Sequence, residues 1–152
     1  MGKSITFGNI LDVTRGIIVH GCNNRGKMGA GLALQIRDKY PECYKVYLDH
    51  LKQYQGELGT VAMYQVNDNL FIANAITQDG FGRDGQRYVK YSAVYQAMME
   101  IAKIAYEHDL HVHYPTIGAT LGGGDWAILN EVIDLAFSDT FPEVNRTLWL
   151  LD

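Results

Sequence analysis

The chain has 152 residues, 47% of them apolar and 20% charged, which predicts one globular domain over residues 1–152 with a core of its own. A formal net charge of −4 argues against a large basic face built for duplex nucleic acid, while a local pocket can still hold a small anion. Cys22 and Cys43 form neither a CxxC pair nor a zinc spacing, and no apolar run reaches the length of a membrane span. Both thiols read as free, in a reducing, cytoplasmic setting.

In chain order, Ile5-Thr6-Phe7 reads as a short strand that will be buried, ending at Gly8-Asn9. Gly16 to His20 (GIIVH) is apolar throughout, the pattern of a strand covered on both faces. A helix begins near Gly29, puts Leu32, Ala33, Ile36 and Tyr40 on one face, and stops at Pro41. Tyr44, Tyr47, Leu48 and Leu51 mark a second helical stripe. Thr60 to Gln65 and Leu70 to Ala75 are strands joined through Asn67-Asp68-Asn69, residues that suit a hairpin turn. After the loop TQDGFGRDGQR comes the longest helix, with Val94, Ala97, Met98, Ile101 and Ala105 inward. Leu110 to Tyr114 is a strand, Trp126, Leu129, Ile133 and Phe137 define a last helix, and Thr147 to Leu151 closes as a strand. Strands alternating with helices, plus one hairpin, predict a layered α/β domain with a mixed central sheet flanked by helices.

Two glycine-rich stretches, HGCNNRGKMGAG and PTIGATLGGGDW, follow predicted strands and lead into helices. Neither is a dinucleotide fingerprint or a phosphate loop of the usual spacing. Their positions are nonetheless those where ligands bind in open α/β sheets. Glycine lets backbone approach a ligand closely, and successive N–H groups before a helix hold phosphate. Residues 118–124 suit a diphosphate cradle, and Gly29-Ala30-Gly31 suit a second anion contact or a ribose. The competing reading is tight packing of helix on sheet. Asn23 and Asn24 can bond sugar hydroxyls or make Asx turns, and Lys27 can meet a phosphate or only solvent. His20 is either an acid–base group or a satisfied core residue, and Asp125 either orients water or caps its helix. His111 and His113 alternate on one strand without an identifiable third metal ligand, so no metal and no cofactor are expected. Phe81, Tyr88 and Tyr91 can stack on a purine or line the rim, and Arg83 and Arg87 can reach anionic oxygens or stay in solvent.

The segments FGNI, VHGCNNRGKMGAGLALQIRDKYPE and PTIGATLGGGDW, with a final aromatic-bearing strand, together resemble the macrodomain family, which binds ADP-ribose. The resemblance covers nearly the whole chain and implies an α/β/α layered macrodomain. The run HGCN…GxMGAGLA…KYP is similar to the subclass of ADP-ribose-1″-phosphate phosphatases and terminal ADP-ribose protein glycohydrolases, which includes many phage-encoded members. The resemblance implies adenine at Gly8, Asn9 and Ile10, with Asn9 in the place of an acidic or amide residue. It implies the distal ribose at Asn23, Lys27, Met28, Gly29, Ala30 and Gly31. The diphosphate is implied at Ile117, Gly118, Ala119, Thr120, Leu121, Gly122 and Gly123. His20 and Asp125 fall where phosphatase-like members carry their suspected catalytic groups. Deglycosylating relatives use a lysine after the hairpin and an aspartate inside the second loop; Ile76-Thr77-Gln78-Asp79 and Leu121-Gly122-Gly123 supply neither. The expected activity is therefore hydrolysis of ADP-ribose-1″-phosphate to ADP-ribose and phosphate. The alternatives are a non-catalytic ADP-ribose reader, or a hydrolase of ADP-ribose linked to protein or to nucleic-acid bases. Expected partners are ADP-ribose or its 1″-phosphate, and an ADP-ribosylated macromolecule, with no membrane and no strong duplex binding.

Overall fold

The computed structural model describes residues 2–82 and 84–151. Its elements run β1 (Lys3–Phe7), a 3-10 turn (Ile10–Asp12), β2 (Gly16–Asn23), α1 (Gly31–Lys39), α2 (Pro41–Tyr54), β3 (Val61–Gln65), β4 (Leu70–Gln78), α3 (Tyr91–His108), β5 (Val112–Tyr114), α4 (Trp126–Asp139) and β6 (Arg146–Leu150). The six strands form one sheet in the order β1-β6-β5-β2-β4-β3. All pairings are parallel except β3 with β4, the hairpin that the Asn-Asp-Asn turn predicts.

β2 is buried on both faces because its alternate residues enter different cores. Ile17 and Val19 pack with Val94, Met98 and Ile101 of α3 and Leu129, Ile133 and Phe137 of α4. Ile18 packs on the other side with Ile36 of α1 and Cys43 of α2, and Cys22 with Tyr47 and Met28. Each of the buried Val, Leu, Ile, Phe and Met side chains among them is worth ~1.5–3 kcal/mol of apolar burial. Pro41 separates α1 from α2 and serves both. It disfavours helical geometry at Tyr40, which sits at φ −129° and ψ 74°, and it opens α2 at the first turn, where a missing N–H costs nothing.

The expected burial of the first strand is not found. Ile5 is 58% and Phe7 63% exposed, because β1 is an edge strand with β6 on one side only. Its inward contact is Lys3, whose ammonium reaches Asn130 and Asp134 on α4. The 3-10 turn after Asn9 has no periodic signature and went unpredicted. Among the described residues, no helix is long and apolar enough to cross a membrane. The five parallel strands bring their carboxyl ends to one edge of the sheet, and both glycine loops leave from that edge.

Candidate functional site

Three stretches line the carboxyl edge in the spatial order β1, β5, β2, with β6 between the first two. From β1 come Gly8 and Asn9. Gly8 has φ +149°, and a Cβ there would lie 3.3 Å from the Trp149 ring. Asn9 caps the 3-10 turn: its Oδ1 accepts the Leu11 N–H at 2.9 Å. Ile10 turns its side chain into the core.

The loop between β5 and α4 is held from below by its own carbonyls. Gly122 O accepts from Tyr88 N (2.8 Å) and Val89 N (3.1 Å), and Gly118 O accepts from Gly124 N (2.8 Å). Gly118 has φ +77°, and a Cβ there would stand 2.6 Å from Val89, so glycine is required. With the carbonyls so engaged, the N–H groups of Gly118, Thr120, Leu121, Gly122 and Gly123 have no partner among the described residues. Successive free amides ahead of a helix make an anion cradle. Ile117 is buried beneath this loop, while Leu121, 39% exposed, reaches across to the first loop, 3.6 Å from where a Gly31 Cβ would be. Asp125 is exposed and caps α4, its Oδ1 accepting the Ala127 N–H at 2.9 Å.

The first loop is wound around Asn23, which ends β2 rather than following it. Its Oδ1 accepts from Arg25 N (2.9 Å) and its Nδ2 donates to the Lys27 carbonyl (2.8 Å), so the side chain is committed to the loop's own shape. Asn24 ties the loop to the segment after β4, donating to Asp79 and accepting from Gly80 N. Met28 is 1% exposed and anchors the far end of the loop in the core beside Tyr47. Lys27 and Gly29 are exposed; Ala30 precedes α1 without a side-chain cap, and Gly31 enters the helix at φ +58°.

His20 lies in the layer below. It is 2% exposed, and its Nε2 lies 2.6 Å from Asn74 Oδ1. Asn74 Nδ2 donates to the Ala62 carbonyl, which turns Oδ1 towards the ring and makes Nε2–H the donor. Burial holds the imidazole pKa at about 4, against a smaller upward pull from Asn74. His20 is thus neutral near pH 7 and faces Cys22 and Asn74, while Asp125 stands at the surface of the second loop. Burial also pushes the Cys22 thiol up and the Cys43 thiol to about 11, so neither is a thiolate near pH 7.

The remaining sequence candidates are placed elsewhere. His111 bonds Thr147, and His113 accepts from Trp149 Nε1 on the sheet face. The Arg87 guanidinium covers Tyr91 at 4.6 Å, Tyr88 bonds Asp84, and Phe81 is exposed; Arg83 lies outside the described residues. Sequence reasoning missed Asn74, Tyr47 and Thr77. A lone amide inside LFIANA, on the strand next to GIIVH, was the available signal for Asn74. Thr77 Oγ1 is buried without a partner among the described residues, 3.0 Å from where a Gly21 Cβ would lie, close to Ile117 and Gly118.

Residues 19–133, spanning both loops, match the family model described as Macro domain. The chain belongs to the Macro domain family. This macro domain is 26% identical over 129 residues to an ADP-ribose 1″-phosphate phosphatase of Lodderomyces elongisporus, covering 78% of this chain and 79% of that one. It is 24% identical over 151 residues to a DNA ADP-ribosyl glycohydrolase of Mycobacterium tuberculosis, covering 95% of this chain but only 42% of that protein. A solved structure of a protein of unknown function from Bacteroides thetaiotaomicron superposes with a TM-score of 0.81 at 28% identity, over 98% of this chain and 99% of that one.

Proposed function

We propose that this macro domain binds ADP-ribose across the carboxyl edge and hydrolyses ADP-ribose-1″-phosphate to ADP-ribose and phosphate. One observation carries the reading: Asn9, the amide cradle and the first loop stand in the order of adenine, diphosphate and distal ribose. From β1 to β2 is three interstrand spacings, ~14 Å, a span that suits a nucleotide rather than a lone phosphate. Asn9 keeps a second lone pair and its amide N–H2 for a purine edge. The free amides of Gly118, Thr120, Leu121, Gly122 and Gly123 meet the diphosphate's charge and need no reorganisation when it arrives. At the distal end, water adds to phosphorus, the ester P–O bond breaks, and the proton given up by that water ends on the departing ribose oxygen. Asp125 is the carboxylate at the cradle's edge that would orient or deprotonate that water. His20, neutral and sealed below, supports the end of β2; direct contact with the leaving phosphate would require it to leave Asn74. The name of the Lodderomyces relative supports the phosphatase reading.

The test is release of inorganic phosphate from ADP-ribose-1″-phosphate. Asp125→Asn keeps an amide oxygen for the cap and removes the charge; Asp125→Ala removes both. Activity should fall at least tenfold in both variants, while only the alanine loses the cap's ~1 kcal/mol in denaturant unfolding. Full activity in Asp125→Asn would reduce Asp125 to a cap, and no release by the wild type would end the phosphatase reading.

A groove of about 480 Å³ beside the first loop favours a second reading, hydrolysis of ADP-ribose on a macromolecule. It is lined by Arg25, Lys45 and Lys52 against Asp49, and offers cations to an anionic chain leaving the distal ribose. Release of ADP-ribose from modified DNA or protein, with no phosphate released from the small ester, would select it.

A further inference from the structure

Nothing in the motifs marks α2 as part of the site, yet two of its tyrosines hold the first loop. Tyr47 is fully buried, and its hydroxyl donates to the Asn23 carbonyl at 2.6 Å and accepts the Gly26 N–H at 3.2 Å. The same oxygen lies 3.0 Å from Asn23 Oδ1, the atom that receives the Arg25 and Lys27 amides. Tyr44, one residue after Cys43 on the same helix, donates to the Gly26 carbonyl at 2.7 Å. The backbone N–H and C=O of Gly26 are therefore both taken by α2, and Gly26 itself sits at φ +79°. Beyond Gly26 the chain runs through Lys27 and buried Met28 directly into Gly29-Ala30-Gly31, of which Gly29 and Gly31 are exposed.

We infer that Tyr47 is a positioning residue for the ligand: its hydroxyl, not its ring, fixes the Asn23–Lys27 turn and so presents residues 29–31 to the distal ribose. The inference rests on the ADP-ribose reading for its ligand, but not for its geometry. Tyr47→Phe keeps the packed ring and removes the hydroxyl. A lost hydrogen bond that acts equally on bound substrate and transition state raises KM and leaves kcat alone. The expected result is a KM, or a Kd for ADP-ribose, raised roughly threefold to tenfold with kcat within about twofold. Amide exchange at Gly26 should quicken by a similar factor, since its acceptor is gone. Combining Tyr47→Phe with Asn23→Ala should weaken binding by less than the product of the two single effects, because both act through one turn.

Unchanged affinity together with unchanged Gly26 exchange would overturn the inference, as would effects of the two substitutions that simply multiply. If Tyr47→Phe does not fold by circular dichroism, Tyr44→Phe removes the partner bond from a half-buried position. It should shift affinity in the same direction by a smaller factor, and no shift there would overturn the inference. A wild type that fails to bind ADP-ribose refutes the functional reading, and Gly26 exchange in Tyr47→Phe still decides the positioning role.

Discussion

Asn74 sets what His20 can do. With its amide nitrogen committed to the Ala62 carbonyl, its oxygen holds the imidazole in the Nε2–H form, and burial keeps that ring uncharged. The folded pKa of about 4 lies below the usual 6.5, so between those values the unfolded chain binds a proton that the folded chain refuses. Stability from this group is full above pH 6.5 and is lost as pH falls towards 4, by roughly 2–4 kcal/mol. Denaturant unfolding of wild type and His20→Gln from pH 7 to 4 reads this directly: the gap between the curves should narrow as pH falls. Parallel curves would mean that His20 does not titrate in this window. At this scale the sequence is ambiguous for a physical reason. HGCN places a histidine at a strand end, but its burial depends on β4, which brings Asn74 against the ring. The cradle shows the opposite case: its glycines are legible because positive φ at Gly118 and Gly123 demands them locally.

At the scale of elements, most helices and strands follow from periodicity, since each buries one face against one neighbour. The exception is β1. Its apolar alternation suggested burial, yet what fixes it is a charged bridge to the helix beside it. Asp134 on α4 binds Lys3 of β1 at 3.0 Å and Arg146 of β6 at 2.9 Å. Arg146 is only 10% exposed in its side chain, lies 4.6 Å over the Phe137 ring, and has no described partner for Nε. Removing the carboxylate strands a nearly buried guanidinium and loosens the edge that carries Gly8 and Asn9. Asp134→Ala should therefore lower unfolding free energy by about 1–3 kcal/mol, discounted from a fully buried pair because Asp134 is 40% exposed. A loss below about 0.5 kcal/mol would assign the bridge to the weak surface class.

For the whole molecule, the strand order does what no single motif can. The loops after GIIVH and HVHYP lie far apart in sequence but leave adjacent parallel strands, so Leu121 of one can lie over Gly31 of the other. Family-like motifs made the layered fold and both glycine loops readable in advance. The distances along the edge were not readable, because they depend on β6 entering between β1 and β5 from the far end of the chain. The role of α2 was also hidden: Tyr44 and Tyr47 spell an ordinary apolar stripe, and only the folded chain shows their hydroxyls on the first loop. The proposed ADP-ribose site stands or falls on the free amides of the second loop receiving a diphosphate. Amide chemical shifts followed during titration with ADP-ribose, and separately with adenosine, test it most directly. Saturable shifts are expected at Gly118, Thr120, Leu121, Gly122 and Gly123 with ADP-ribose and little change there with adenosine; saturation that leaves those amides unmoved rules out a diphosphate on this loop.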